Sequence, residues 1–186
     1  LFEGTVTDIP AQFSGIQSAF EQNYDESIGK YKVEIKTTGK NIFDGQWENG
    51  TISEITGTLF EDVNDGYNYM RSANYIEVKP NTTYTASSSQ LKHASVVVWI
   101  AYDKDYKYIE GATGSARYTT PSNAKYIRVR TYQADTLNIS LDCPLQIEEG
   151  NVATEYKPFK TSTISFYLDE PLRGVGNIRD RVFVEA

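Results

Sequence analysis

The alternating pattern of residues 125–132 constrains the fold of this chain more than any other feature. Side chains on a β-strand point to opposite faces in turn. Read in this way, the segment presents one largely apolar face, made of Ile127, Val129 and Thr131. The other face carries aromatic rings and guanidinium groups: Tyr126, Arg128, Arg130 and Tyr132. The pattern predicts a strand that buries its first face against a partner sheet and presents a surface suited to a polar, flat-faced ligand.

Short strand-like segments separated by turn residues continue along most of the chain. We predict nine central and C-terminal strands: residues 51–56, 73–78, 82–87, 95–102, 107–109, 125–132, 137–141, 145–148 and 163–168. Clusters of Asn, Asp, Gly and Pro lie between them, for example at residues 64–66 and 79–81. This spacing predicts an all-β fold, an antiparallel β-sandwich or jelly roll.

The two ends of the chain differ from this central part. Phe13, Ile16 and Phe20 recur at helical spacing and predict a short N-terminal amphipathic helix, which a strand at residues 27–36 follows. Residues 168–186 lose the alternation until a final strand near residues 181–185. We therefore divide the chain into an N-terminal flank (1–38), a sandwich module (39–160) and a C-terminal flank (161–186), the flanks being irregular connectors.

Composition excludes several classes of function. The 186 residues carry a net charge of −7, whereas nucleic-acid binding needs a basic patch. Cys143 is the sole cysteine, so neither an intrachain disulfide nor a cysteine-based metal cluster can form. The longest apolar run, residues 96–102, suits a buried strand and is far shorter than a membrane span of about 20 residues. The chain opens at Leu1 rather than Met, which we interpret as an excerpt of a longer polypeptide.

Catalytic patterns are weak, and we predict that the chain is not an enzyme. His93 is the sole histidine and lies in a polar turn. The sequence contains no G-x-S-x-G motif that would supply a nucleophile for it to activate. The carboxylate pairs at 61–62, 103/105 and 169–170 fall in turns, where such residues are ordinarily solvated. Residues 103–105 have the sequence of a hairpin turn between Tyr102 and Tyr106. The D-x-D spacing of Asp103 and Asp105 also suits calcium, but the full twelve-residue loop pattern is missing. No cofactor is predicted, and a structural calcium ion held by loop carbonyls stays open.

Aromatic and arginine side chains form the candidate binding site. If the apolar face of residues 95–102 consists of Val96, Val98 and Ile100, Trp99 points the other way and joins the Tyr/Arg face. Aromatic rings stack on the C–H faces of sugars, while guanidinium and amide groups bind hydroxyls. The predicted carbohydrate-binding residues are Trp47, Tyr67, Tyr69, Arg71, Trp99, Arg128, Arg130 and Tyr132. In the alternative register Trp99 is a core residue, and the Tyr and Arg side chains are packing partners.

Five segments resemble a known family: residues 41–45, 75–85, 98–103, 119–128 and 146–156. Their succession resembles carbohydrate-binding-module-like insertions in tail-tip and minor structural proteins of phages and prophages of Gram-positive bacteria, and residues 10–20 and 168–174 are similar to the flanks of those insertions. The resemblance implies a galactose-binding-like jelly roll in a virion tail, made in the bacterial cytoplasm and acting outside the cell. It further implies attachment to host cell-wall saccharide during adsorption, contacts with other tail-tip domains or subunits, and oligomerisation through the parent protein. The alternative is a structural spacer or assembly module without a ligand.

Overall fold

Every regular element that the structure describes is a β-strand, and all of the strand pairs are antiparallel. The structure is a computed structural model that describes residues 17–61, 68–89, 97–133, 143–171, 174–175 and 178–179. The chain divides into two compact units, one made of Leu1–Gly39 with Lys160–Ala186 and the other of Lys40–Phe159.

The first unit contains a three-stranded sheet from both ends of the chain. Its order is β1 (Gln17–Asp25), β2 (Lys30–Thr38) and β14 (Thr161–Leu168). Val33 and Ile35 on β2 are buried and lie opposite Phe166 and Ile164 on β14, which gives the sheet an apolar face. In the same unit, β15 (Gly174–Val175) pairs with β16 (Ile178–Arg179).

The second unit contains two larger sheets and a small hairpin. The six-stranded sheet has the order β10 (Tyr108–Ala112), β9 (Val98–Tyr102), β12 (Tyr126–Gln133), β6 (Asn68–Ser72) and β3 (Trp47–Asn49), with β7 (Ile76–Glu77) also paired to β12. The three-stranded sheet has the order β11 (Arg117–Thr119), β8 (Thr83–Ser87) and β13 (Gln146–Glu149). A short hairpin, which we call the cap (residues 51–60), pairs β4 (Thr51–Ile52) with β5 (Leu59–Phe60).

The main hydrophobic core contains side chains from both larger sheets of this unit. Trp99, Ile127 and Val129 of the six-stranded sheet form one buried cluster with Tyr84 and Ile147 of the three-stranded sheet. The two antiparallel sheets therefore share one core, as the two layers of a β-sandwich do. This confirms the predicted all-β, antiparallel class.

A buried side-chain amide joins the start of the second unit to its last strand. Asn41 Oδ1 accepts hydrogen bonds from the backbone N–H groups of Phe43 (3.1 Å) and Ile147 (3.0 Å). Asn41 Nδ2 donates to the carbonyls of Leu145 (3.1 Å) and Lys157 (3.2 Å). All four hydrogen-bonding positions of the amide are used, so Asn41 joins these parts of the unit without leaving a buried polar group unpaired.

Several local predictions need correction. Phe13 and Ile16 of the predicted helix lie outside the described residues, but Phe20 belongs to strand β1 and not to a helix. The predicted strand at 51–56 ends at Ile52, because residues 53–58 form the turn of the cap. Seven strands of the structure are not among the predicted ones: β1, β3, β5, β6, β11, β15 and β16. The predicted strands at 137–141 and 181–185 lie outside the described residues.

Candidate functional site

The orientation predicted for Trp99 is wrong. In the pairing of β9 with β12, Trp99 lies opposite Val129 while Ile100 lies opposite Arg128, so Trp99 shares the face of the apolar residues. The indole is fully buried, stacks on Tyr118 at 5.7 Å and donates from Nε1 to the Ser115 carbonyl at 2.9 Å. Because all five residues of β9 are buried, the strand has no solvent face, and hydrophobicity alone could not set its register.

Trp47 is also a core residue, although it was among the predicted carbohydrate-binding residues. Its ring lies 4.7 Å from that of Phe43, and its Nε1 donates to the Cys143 carbonyl at 3.0 Å. The pairing of β3 with β6 places Trp47 opposite Ser72 and Glu48 opposite Arg71. Glu48, which the sequence analysis did not select, therefore shares a face with Arg71.

The division of β12 into two faces is confirmed. Ile127 and Val129 are buried in the main core. On the opposite side, which we call the outer face, Arg128 and Arg130 lie beside Arg71 of β6 in the strand register. The predicted arginines thus come together, but without either tryptophan.

Each of these three arginines binds acidic groups of the protein itself, and we call the set the arginine network: Arg71, Arg128 and Arg130 with Glu48, Glu54 and Glu61. Glu48 Oε1 accepts from Arg71 Nε at 2.6 Å and from Arg128 Nη2 at 2.8 Å. Arg71 Nη2 donates to Glu61 at 2.7 Å, and Arg130 Nη2 donates to Glu54 at 2.5 Å. Arg128 also donates from Nε to the Ser72 carbonyl at 3.0 Å.

The cap covers part of the outer face and is fastened to this network. Arg71 Nη1 donates to the carbonyls of Thr51 and Phe60, both at 3.1 Å. Ile52 packs in a second buried cluster with Val98 and Ile100. Gly50, with φ +107°, allows this approach, since a Cβ there would lie 2.6 Å from the Phe60 carbonyl oxygen and 2.9 Å from Arg71 Nη1.

The charges of the arginine network largely satisfy one another. Although burial raises the pKa of Glu48, the hydrogen bonds and charges of Arg71 and Arg128 outweigh it and hold that pKa below its usual range. The side chains of Arg71 and Arg128 are each only 4% exposed. Their guanidinium forks are therefore engaged within the protein, although Arg130 Nε is buried without a hydrogen-bond partner.

The tyrosines of the prediction have different positions. Tyr69 is partly buried, and the Arg130 guanidinium lies over its ring at 5.4 Å. Tyr67 lies outside the described residues. Tyr132 is opposite Tyr69 in the strand register, but its side chain is not among those described. Their roles as ligand contacts stay predictions.

Four other tyrosines meet where β9 ends and β12 begins, and we call them the tyrosine cluster: Tyr75, Tyr102, Tyr106 and Tyr126. The Tyr106 and Tyr126 rings stack at 4.7 Å with an interplanar angle of 11°. Tyr75 lies 4.9 Å from Tyr102 at 85° and 4.8 Å from Tyr106 at 59°. Tyr75 is 40% exposed and Tyr106 52% exposed, whereas Tyr102 is buried beneath them.

Arg128 connects the two regions of the outer face. Its guanidinium carbon lies 5.5 Å from the centroid of the Tyr75 ring, while Nη2 binds Glu48. The network thus supports the cluster through a cation–π contact. Burial raises the pKa of Tyr102 to about 12, so this supporting tyrosine is a neutral phenol at neutral pH.

The turn between β9 and β10 holds Tyr106 in an unusual backbone conformation. Its φ of +59° lies in the left-handed region, which costs an aromatic residue roughly 1–2 kcal/mol. Asp103 stabilises the turn: its Oδ1 accepts from the N–H groups of Asp105 at 2.8 Å and Lys107 at 3.0 Å, and its carbonyl accepts from Tyr106 N at 3.1 Å. The two bonds to the carboxylate, that of Lys107 first, lower the pKa of the Asp103 carboxyl.

The sequence contained one usable signal for this cluster. The D-x-D sequence predicted a hairpin turn between Tyr102 and Tyr106. The structure confirms a hairpin, in which Tyr102 pairs with Tyr108 and Tyr106 lies within the turn. Tyr126 belongs to the aromatic face already predicted for β12. The contact between Tyr75 and Tyr106, however, joins residues that are 31 positions apart in the sequence. No local sequence pattern could reveal it.

Other site classes have no support in the described part of the chain. His93 falls outside the described residues. No group of three or more His, Cys, Asp or Glu side chains with metal-binding geometry occurs among the residues that were searched. Within those same residues, no helix has the length and apolar character that crossing a membrane requires.

Comparisons with known proteins found similarity to a tail fiber protein and to a cell surface protein. It is 28% identical over 141 residues to a tail fiber protein of Enterococcus phage phiEF24C, a match that spans 72% of this chain and 7% of the relative. It is 25% identical over 153 residues to a cell surface protein of Thermoanaerobacter kivui, spanning 78% of this chain and 19% of the relative. No family model matches, and no solved structure matches. The chain thus has weak homology to a tail fiber protein and to a cell surface protein, and corresponds to a small part of each.

Proposed function

We propose that Lys40–Phe159 is a non-catalytic carbohydrate-binding module, built as a galactose-binding-like jelly roll, within a larger phage or prophage tail protein. It recognises host cell-wall saccharide during adsorption and acts outside the cell as part of the virion. The observation that carries this proposal is the pair of exposed rings, Tyr75 and Tyr106, held on a rigid sandwich. The homology to a tail fiber protein and to a cell surface protein supports the proposed setting.

Aromatic ring faces are the chemical feature that this surface offers to a ligand. A ring face has no hydrogen bond to satisfy, and it stacks favourably on the C–H face of a sugar while the hydroxyls remain in water. Tyr75 and Tyr106 expose such surface, and Tyr102 and Tyr126 hold both rings in place. A preformed aromatic surface with polar groups around it is typical of small-ligand sites.

The carboxylates favour binding over hydrolysis. A glycoside hydrolase needs one carboxyl whose pKa is raised so that it can act as an acid. Among the described residues, the carboxyl groups with a resolved pKa shift are all shifted downwards: Asp25, Glu34, Glu48, Asp103 and Glu148. These directions agree with the proposal that the module holds its ligand without transforming it.

A structural module without a ligand is the second candidate, and the cap favours it. Ile55, Leu59 and Phe60 are exposed apolar side chains on this one hairpin. Exposed apolar groups that lie together often mark a protein contact. In that case the unit serves as a spacer or assembly surface between neighbouring tail domains or subunits.

Glycan-array and cell-wall binding by the full 186-residue chain tests the proposal. The probes are an array of bacterial glycans and purified Enterococcus cell walls, chosen because a phage of that genus carries a relative. We expect binding by the wild type and a loss of at least roughly tenfold in Tyr106→Ala, about the contribution of one stacked ring. Tyr156→Ala is the matched control, since Tyr156 is similarly exposed in the same unit and outside the cluster.

The possible results separate the candidates. Absence of wild-type binding to every probe would overturn saccharide recognition and favour the structural module. Equal binding by Tyr106→Ala and the wild type would overturn the site. Release of reducing sugar from the walls, abolished by substituting one carboxylate, would show an enzyme instead.

A further inference from the structure

We infer that the tyrosine cluster takes a single sugar residue, at a chain end or a branch, and does not bind a run of a linear polysaccharide. This inference rests on the proposed function, whose site it specifies. The arrangement of the two exposed rings carries it.

The exposed rings do not share a plane. Tyr106 stacks nearly parallel on Tyr126, which covers one of its faces, so its exposed surface lies on the other face and the edges. The neighbouring exposed ring, Tyr75, is turned by 59° at a centroid distance of only 4.8 Å. A flat polysaccharide chain would need successive ring faces in one plane to stack on successive sugars. The surface bends away after one ring instead.

Contacts within the protein hold both exposed rings in this arrangement. The left-handed backbone of Tyr106 is held by three hydrogen bonds that Asp103 accepts within the turn. Tyr126 supports the ring from below, and Tyr126 is itself the first residue of strand β12. Tyr75 rests against the buried Tyr102 and against Arg128, which Glu48 holds in turn. Preorganisation lowers the entropic cost of binding, but it prevents the two rings from rotating into one plane.

One sugar per module predicts weak binding at each site. A single stacked ring provides little surface, so useful attachment requires several copies that act together. Repetition of the module in an oligomeric tail would supply those copies. The inference therefore specifies how the proposed tail attachment gains strength: from the number of modules and not from the length of glycan that each one holds.

The test measures affinity against ligand length by titration calorimetry on the full chain. The probes are the methyl glycosides of glucose, galactose, rhamnose and N-acetylglucosamine, together with their linear di- and trisaccharides. For the sugar that binds, we expect the trisaccharide to bind no more than roughly threefold more tightly than the methyl glycoside, which is the gain from three equivalent residues. Tyr106→Phe keeps the ring and should bind within a few-fold of wild type, whereas Tyr106→Ala should lose binding.

The outcomes distinguish this inference from the proposal beneath it. Affinity that rises at least tenfold with each added residue, still abolished by Tyr106→Ala, would overturn the single-residue site and leave saccharide binding standing. A length-independent affinity that Tyr106→Ala does not change would place the single-residue site elsewhere and overturn the inference. Lack of wild-type binding to all of these probes, to the array and to cell walls would overturn both.

Discussion

The arginine network and the tyrosine cluster lie on the same outer face and differ in what they leave unsatisfied. In the network, Arg71, Arg128 and Arg130 each donate to a carboxylate of the protein. In the cluster, Tyr75 and Tyr106 retain about half of their surface, at 40% and 52% exposure. The network has the more conspicuous chemistry in the sequence, whereas the cluster has the surface that a ligand can reach.

This difference has a physical origin. A charged group is costly to bury unless it is paired. Buried arginines on a sheet therefore form ion pairs with acidic side chains, and their guanidinium groups are no longer exposed. An aromatic face has no such requirement and stays available once its edges are supported. Residue type alone therefore does not show which side chains can contact a ligand. The partners of each side chain within the protein must also be known.

The largest expected effect is the loss of stability on removing an arginine of the network. Arg128→Ala would leave Glu48 with only Arg71 and would leave the Ser72 carbonyl without its donor. Breaking a buried ion pair costs roughly 3–5 kcal/mol, and the partial exposure of Glu48 places this case near or below the lower bound. We expect a fall of about 2–3 kcal/mol in the free energy of unfolding, measured by urea denaturation.

Arg117→Ala is the control for that prediction. Arg117 is exposed on strand β11 and lies outside the network, so its replacement should change stability by less than about 0.5 kcal/mol. If Arg128→Ala were as mild as Arg117→Ala, the network would not be structural. Its guanidinium groups would then be candidates for ligand contact again.

The second prediction concerns acid. Glu48 has a lowered pKa in the folded state, so it contributes stability above its unfolded value of 4.5, and that contribution is lost as the pH falls through the lower folded value. We expect the urea midpoint of the wild type to decrease between pH 5 and pH 3. In Glu48→Gln the midpoint at pH 7 should be lower, and its further decrease towards pH 3 should be smaller. Parallel pH profiles for the two proteins would contradict this assignment.

The faces of β12 could be predicted from the sequence, and those of β9 could not. On β12, apolar residues alternate with Tyr and Arg, so Ile127 and Val129 identify the buried side without ambiguity. On β9, Val98, Trp99 and Ile100 are all apolar and all buried, because the main core covers one face and the cap covers the other. When every residue of a strand is apolar, the sequence does not show which side chains point to which face.

The partners of the arginines were beyond prediction for a different reason. Glu48 and Arg128 are 80 positions apart, and Glu54 and Arg130 are 76 apart. Such pairs depend on which strands become neighbours, and the antiparallel class alone leaves many strand orders open. The sequence could therefore indicate the arginine face of the sheet, but not that the cap and β3 would neutralise it.

The third prediction is a variant that loses ligand binding while keeping most of its stability, the opposite of the first. Tyr75→Ala should abolish saccharide binding, because it removes an exposed ring and the support of Tyr106. Its effect on the free energy of unfolding should be only about 1 kcal/mol, since the ring is 40% exposed and lies outside both buried clusters. Urea denaturation and glycan binding on the same preparation measure both quantities. A large loss of stability with binding retained by the folded fraction would make the cluster a structural element instead.

The smallest expected effect comes from a variant that keeps the Tyr106 ring but weakens the turn that positions it. Asp103→Ala leaves all four tyrosines in place but removes the acceptor for the N–H groups of Asp105 and Lys107. Only the bond from Tyr106 N to the Asp103 carbonyl then remains, so the left-handed conformation of Tyr106 is less firmly held. We expect binding to weaken roughly two- to tenfold, the cost of ordering about one side chain on association. Asp103→Asn keeps a side-chain oxygen acceptor and should bind nearly as the wild type does. If the Ala and Asn variants were equally weak, the negative charge of Asp103 would contact the ligand directly; if both bound normally, the turn would not position the ring.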